Sequence, residues 1–253
     1  MLAVERRRLI ADNLRSRGVV SVAELAETLG ATEITVRRDL RAMAKEGQLV
    51  RARGGAVLPA TIGHEPSYSE KARQAGAEKA SIAQLAAQMV VPGDSIIVGP
   101  GTTTQALARL LGEIPELTVV TNSLLVTQAL MSSSRVEVVM TGGTLRRSIH
   151  ALVGPAAEES VRALRASKAF ISGNGISPDR GLSTPSPLVA ATDRAFAAAA
   201  QQVIVLADYT KVGVDTMCQT VPTGRIHTLI TDGRADPSMV AAIRHAGVDV
   251  RIA

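Results

Sequence analysis

Arg37, Arg38 and Arg41 stand together in "TEITVRRDLRAMAKEGQLVRARGGA", residues 32–56, and Arg51 and Arg53 follow just before two glycines. A guanidinium is a flat fork of donors that bonds a guanine edge bidentately or clamps a phosphate. Arginines so clustered point to polyanion recognition. The bland alternative is that Arg37 and Arg38 pair with Glu33 or Asp39. A second set of residues is small and hydroxylated. "GPGTTTQALARLL" holds Gly101, Thr102, Thr103 and Thr104; "VVTNSLLV" holds Asn122 between Thr121 and Ser123; "VVMTGGTLR" holds Gly142, Gly143 and Arg146. Glycine admits a ligand close to the backbone, threonine hydroxyls donate, and the N–H groups that open a helix favour an anion. Each loop alone also reads as ordinary caps and turns. Together they suggest a solvent-facing pocket for a phosphorylated or polyhydroxylated ligand. No nucleophilic or metal-binding set accompanies them. The histidines, His64, His150, His227 and His245, are scattered, and the single cysteine, Cys218, reads as packing. Neither a metal nor a cofactor is expected.

Composition bounds the fold that must carry these residues. Of 253 residues, 46% are hydrophobic and 20% charged, which favours a packed core over disorder. Aromatics make up 2% with no Trp, which argues against base-stacking platforms for single strands. One cysteine fits a reducing compartment. The N-terminal stretch lacks the apolar run of a signal peptide, and no run of roughly 18 apolar residues occurs. A cytoplasmic protein without a membrane partner is expected. Residues 1–58 carry eleven Lys+Arg against seven Asp+Glu, so +4 of the total +5 lies in the first quarter of the chain. Concentrated basic charge is the footprint of nucleic-acid binding.

The arginines sit within a readable series of elements. Glu5–Arg17 has Leu9, Ile10 and Leu14 at helical spacing, and Gly18 stops it. Ser21 with Glu24 forms a capping box for a second helix, whose buried stripe is Val22, Leu25, Ala26 and Leu29. Gly30 ends it. Thr32 caps a third helix that turns Val36, Leu40 and Met43 inward and leaves Glu33, Thr35, Arg37, Arg38 and Arg41 outside, with Gly47 as its stop. "QLVRARGGAVL" then reads as two short strands around a Gly-Gly turn. Two helices joined by a tight turn and followed by a wing make a winged helix-turn-helix. The second helix of such a pair enters the major groove of double-stranded DNA, led by its N-terminal residues. The candidate DNA contacts are Ser21, Thr32, Thr35, Arg37, Arg38, Arg41, Arg51 and Arg53.

Residues 59–78 mix Pro, Gly, Ser and charge without periodicity and read as a linker, with His64 and Tyr68 as loop residues. Beyond it, short aliphatic runs alternate with helical patterns: 95–99, 117–121, 136–140, 168–172, 202–207, 227–231 and 248–252. Near-continuous aliphatic strands between helices imply an α/β domain with a mostly parallel sheet covered on both faces. Ligands of such sheets bind at the carboxyl ends of the strands. The glycine- and threonine-rich loops fall at those ends. The domains are therefore 1–58 for DNA, 59–78 as linker and 79–253 for effector sensing and oligomerisation.

The N-terminal stretch "SVAELAETLGATEITVRRDLRAMAKEGQLVRARGGAVL" resembles the DNA-binding domain of DeoR-family bacterial transcription regulators, with Arg53 where the family often has His. The stretches "GTTT", "VVTNS", "TGGTLR", "VGP", "AFISGNGIS", "GLST" and "LADYTKVG" resemble that family's effector domain, which is similar in fold to ribose-5-phosphate isomerase. The resemblance implies a sugar phosphate or related metabolite as effector. Gly101, Thr102, Thr103 and Thr104 would hold its phosphate. Asn122, Gly142 and Gly143 would line the pocket, with Gly173 and Gly175 nearby, and Asp208 and Lys211 would complete it. Three positions depart from the family pattern. Gly99 stands where Asp is frequent, Val189 and Asp193 replace an acidic and a basic residue, and Ser167 replaces Asp. They imply a changed ligand rather than a changed fold.

Two rival readings remain at this point. A sugar-phosphate isomerase fused to a DNA-binding domain would need a carboxylate base near its substrate. Here the acidic motif of the enzyme relatives reads "GNGIS". A ligand-independent DNA-binding regulator is the other. The expectation is a non-enzymatic transcriptional regulator, a repressor of carbohydrate-metabolism genes, working as a homodimer or homotetramer on operator DNA and tuned by a small-molecule effector.

Overall fold

The structure, a computed structural model, describes residues 2–17, 19–46, 48–52, 54–57 and 65–253. The chain divides into two units, Met1–Pro66 and Ser67–Ala253. The first contains α1 (Ala3–Arg17), β1 (Val19–Ser21), α2 (Val22–Leu29), α3 (Glu33–Lys45), β2 (Val50–Ala52) and β3 (Gly55–Val57). Helices α2 and α3 start where their caps stand. Ser21 Oγ accepts from the Glu24 N–H at 3.1 Å, and Thr32 Oγ1 accepts from the Thr35 N–H at 3.3 Å. Ile10, Leu14, Leu25, Val36, Leu40 and Met43 form the core between the three helices. Leu9, expected in that core, is 38% exposed, because Ile10 and Leu14, one turn apart, already occupy the inward face of α1. The wing is broader than expected. Strand β1 pairs with β3 antiparallel, Val20 opposite Ala56, so the sheet has the order β1-β3-β2. Gly18, Gly47, Arg53 and residues 58–64, with His64, lie outside the described residues.

Residues 67–78, expected as linker, belong to the larger unit. A short helix α4 (Tyr68–Ala72) opens on a capping box between Ser67 and Glu70, and α5 (Gly76–Ala87) follows. A five-residue helix is too short to show a period, so only its cap residues could have announced it. The remaining elements are β4 (Ser95–Val98), α6 (Thr102–Leu111), β5 (Leu117–Thr121), α7 (Leu124–Leu130), β6 (Val136–Met140), β7 (Thr144–Arg146), β8 (Ala151–Val153), α8 (Pro155–Arg162), β9 (Ala166–Ile171), β10 (Gly175–Ser177), β11 (Gly181–Thr184), α9 (Pro187–Ala199), β12 (Ala200–Leu206), β13 (Cys218–Val221), β14 (Thr228–Thr231), α10 (Pro237–His245) and β15 (Asp249–Ile252).

The seven aliphatic runs of the sequence form one parallel sheet in the order β15-β14-β12-β9-β4-β5-β6. Alternate residues face opposite sides. Ile96, Val98 and Val119 pack under α5, α6 and α7, with Ile82, Leu107 and Leu130. Ile97, Val120 and Val205 pack under α8, α9 and α10, with Val161, Phe196 and Ile243. A hairpin, β7 with β8, and a small antiparallel sheet, β10-β11-β13, were not apparent from the sequence. They are three or four residues long, and of them only β8 (Ala-Leu-Val) is aliphatic throughout. The first strand of the sheet, β4, lies in its middle. The chain builds outward to β5 and β6 on one side, then returns to β9 and outward again. Strand order thus reverses between β4 and β9, the place at which sheets of this kind bind ligands, outside the carboxyl ends of the strands.

Candidate functional site

In the first unit, the outward face of α3 carries the expected arginines. Arg37, Arg38 and Arg41 are exposed. Asp39, buried on the opposite side of the helix, accepts from Arg6 Nε at 2.5 Å and Arg7 Nε at 3.3 Å, both on α1. The alternative in which Asp39 neutralises Arg37 or Arg38 therefore does not hold. The other part of it does: Arg37 pairs with Glu33 one turn earlier, at 2.9 Å. Both partners are about half exposed, so the pair is worth roughly 0.3–0.5 kcal/mol and yields readily to a phosphate. No described residue pairs with Arg38 or Arg41. Thr32 and Thr35 share a hydroxyl contact of 2.9 Å at the helix start, while Ser21 Oγ also donates to Glu24. The capping Thr32 and Thr35 are thereby engaged within the turn. Arg51 lies on β2, and Arg53 lies outside the described residues.

In the larger unit, the expected ligand residues lie at one edge of the parallel sheet. Gly101 follows β4 and caps α6 with φ +153°, a conformation that excludes a side chain, and a Cβ there would press against Ser172 after β9. Thr102–Thr104 form the first turn of α6. The loop does not face solvent as expected: Thr103 is 2% exposed and Thr104 is fully buried, its hydroxyl donating to the Gly101 carbonyl at 3.1 Å. Asn122, after β5, is buried against β8. Its Nδ2 donates to the Leu152 carbonyl at 2.7 Å, and its Oδ1 has no partner. Gly142 and Gly143 follow β6. At Gly143, Gly173 and Gly175 the space a Cβ would fill is already taken by Val153, Leu182 and Val214. Any side chain at these three positions would collide with the protein itself, so packing alone already requires glycine there.

Asp208 and Lys211 follow β12. Asp208 is buried, its Oδ1 accepting from the Thr210 N–H at 3.0 Å and from the Thr210 hydroxyl. A second lysine, unnoticed in the sequence, completes the cluster. Lys79 of α5 is buried, with its Nζ 3.9 Å from Asp208 Oδ2. Burial lowers its ammonium pKa, the Asp208 charge opposes this, and Lys211 adds to it. Lys211 is likewise lowered by burial, with Asp208 opposing. Two cations thus share one carboxylate at this edge. The signal for Lys79 was present: it falls on the same helical stripe as Ile82, Ala83 and Ala86, where a lysine is out of place. Other buried polar atoms without a partner are Thr141 Oγ1 after β6, Asn174 Nδ2 after β9 and Thr231 Oγ1 at the end of β14. Buried polar groups are ordinarily satisfied. A row of them along one sheet edge fits a polyhydroxylated ligand. Asp193 and Val189 are buried on α9, and Gly99 directly follows β4 with ordinary contacts around it. Ser167 lies at the other end of the sheet, bonded to Asp94. Among the described residues no group of His, Cys, Asp or Glu is arranged to hold a metal, and no helix is long and apolar enough to cross a membrane.

Two family models match. Residues 6–61 match the DeoR-like helix-turn-helix domain and residues 74–233 the DeoR C terminal sensor domain. Relatives extend over nearly the whole chain. An uncharacterized HTH-type transcriptional regulator, YgbI, of Escherichia coli strain K12 is 37% identical over 92% of this chain and 91% of its own length. A putative aga operon transcriptional repressor of Escherichia coli O157:H7 is 34% identical over 97% and 92%. The HTH-type transcriptional repressor GlcR of Bacillus subtilis is 30% identical over 100% and 97%. Among solved structures, ribose 5-phosphate isomerase A from Methanocaldococcus jannaschii superimposes on 53% of this chain over 52% of its own. The TM-score is 0.39 and the identity 17%, too loose a likeness to bear on function.

Proposed function

This chain belongs to the DeoR family of transcriptional regulators, and on that premise we propose that it is a cytoplasmic repressor whose grip on operator DNA is set by a sugar phosphate or related metabolite. Helix α3 enters the major groove, led by Thr32, Thr35, Arg37, Arg38 and Arg41. Ser21 at the start of α2 and Arg51 and Arg53 of the wing take phosphates. Two copies about a two-fold axis match two operator half-sites. Repression is the sign carried by the names of two relatives.

The effector lies at the carboxyl ends of the strands on either side of the β4–β9 reversal. Its phosphate meets the first turn of α6 from Gly101 to Thr104, with Lys211 as counter-charge, and its hydroxyls meet Asn122 and its neighbours. The observation that carries this is the row of buried, unpartnered polar atoms along that one edge. We read the site as binding without catalysis. Asp208, its carboxylate, is engaged by Thr210 and turned to Lys79, a poor arrangement for a base that must abstract a proton.

The test begins with sequencing the DNA that co-purifies with the full chain. The recovered fragment is then titrated with protein in the presence of a panel of sugar phosphates. A responsive pair shifts the apparent Kd by roughly 5- to 150-fold, the usual range of coupling between sites. Absence of any enriched fragment removes the DNA half of the proposal. An enriched fragment whose affinity no sugar phosphate alters removes the ligand half.

A further inference from the structure

We infer that Lys79 belongs to the ligand site and that the segment it holds, Ser67–Gln74, is the wall of that site through which occupancy is passed to the DNA-binding unit. The inference rests on the reading of this sheet edge as an anion site.

Three observations place the segment there. Lys79 Nζ donates to the Lys71 carbonyl and, at 2.6 Å, to the Gln74 carbonyl, so the ammonium pins the end of α4 and the turn after it. The same Nζ is 3.9 Å from Asp208, beyond hydrogen-bonding reach, so its buried charge meets two carbonyl dipoles and one loosely placed carboxylate. At the other end, the Tyr68 hydroxyl donates to Gln105 Oε1 at 2.5 Å. Gln105 is buried and directly follows the Thr102–Thr104 turn. The Tyr68 ring also lies 5.3 Å from that of His150, whose Nδ1 is buried without a partner and whose carbonyl accepts from the Leu124 N–H just beyond Asn122. One short segment is therefore tied to the cation cluster, to the first turn of α6 and to the loop beyond β5.

An ammonium bonds a full anion more strongly than a neutral carbonyl. An anion entering between the α6 turn and the lysines draws Lys79 from the Lys71 and Gln74 carbonyls, and the segment loosens. Ser67 directly follows Pro66, where the DNA-binding unit ends. Loosening of 67–74 adds unconstrained residues between reader and sensor, and it lowers the effective concentration of one for the other's two-fold partner.

Hydrogen exchange on the full chain tests this, with inorganic phosphate titrated against chloride at matched ionic strength. In the unmodified chain, amides of 101–105 slow and amides of 67–75 quicken with one shared midpoint, the latter by about tenfold at saturation. In Lys79→Met the midpoint at 101–105 moves to roughly tenfold higher phosphate, and 67–75 is fast throughout. Tyr68→Phe retains every charge: 67–75 is already quicker before phosphate is added, and, because coupling is reciprocal, the midpoint at 101–105 falls to lower phosphate. Slowing at 101–105 with 67–75 unmoved or slowed overturns the coupling and leaves the anion site standing. No phosphate effect at 101–105 overturns the anion site and this inference together. Should Lys79→Met fail to fold, the unmodified chain and Tyr68→Phe decide the matter.

Discussion

One buried carboxylate decides how the arginines near α3 are divided. Asp39 takes Arg6 and Arg7 into the fold, Glu33 holds Arg37 lightly, and Arg38 and Arg41 stand exposed. Arg38→Ala is expected to weaken operator binding by about 1–3 kcal/mol if it reads a base, with relaxed specificity at that position. If it clamps a phosphate, all sequences weaken alike and the salt slope falls by about 1. Titration at several salt concentrations separates the two, and unchanged affinity in both Arg38→Ala and Arg41→Ala removes α3 from the groove. Glu33→Gln frees Arg37 and removes a negative charge facing the DNA, so affinity rises slightly; a fall would mean that Glu33 itself contacts a base. At the sheet edge proposed for the ligand, the loops lie together as the sequence implies, but Thr103 and Thr104 are far more buried than it implies. Thr103→Glu places a carboxylate where only 2% of the residue meets water, so it lowers the melting temperature as well as ligand affinity. Thr102, half-buried in the same turn, is the cleaner position for an introduced charge. Arginine identity and glycine-threonine loops are visible in a sequence because they are local. The partners of Asp39, the depth of Thr103 and the Val214 carbonyl against Gly175 depend on residues distant in the chain.

Elements were legible in proportion to their length and the regularity of their burial. Seven aliphatic runs became seven parallel strands: the five inner ones are largely buried on both faces and need no alternation, and the edge strands β6 and β15, mostly exposed, are marked by their Val and Ile residues. Helices α2 and α3 were bounded by Ser21, Gly30 and Thr32, which act on their own neighbours. By contrast β7, β8, β10, β11 and β13 owe their pairing to long-range register, and β1 to a wing more than thirty residues later. The Thr32 cap is expected to carry weight: Thr32→Ala costs about 0.5–2 kcal/mol in thermal unfolding of the first unit, and an unchanged transition would mean that another group caps α3. Helix α5 gives a pH signature. Burial lowers the Lys79 pKa below its ordinary 10.5, so between the folded value and 10.5 the unfolded chain binds the additional proton. Stability of the larger unit therefore rises with pH through that window. Lys79→Met removes that part of the rise, read as a flatter dependence of the urea midpoint on alkaline pH. An identical slope in the variant would show that Lys79 does not titrate there.

Two units with separate cores make a separable molecule. A fragment spanning Leu2–Pro66 holds the whole Ile10–Met43 core and is expected to unfold in its own cooperative transition. On the two-fold assembly proposed above, it should bind operator more weakly than the full chain. Equal affinity would place oligomerisation outside the larger unit. The sheet order also has a consequence for how the molecule is made. Strand β4 finds its partner β5 as soon as that strand is synthesised, but its other partner, β9, begins at Ala166, and Asp208 comes later still. Domains fold as units, the N-terminal one first, while synthesis proceeds at roughly 5–20 residues per second. A growing chain thus presents a finished DNA-reading unit for seconds before any ligand site exists. During that interval each new molecule on the ribosome is blind to the metabolite, and a chain cut short before Ala166 stays blind permanently.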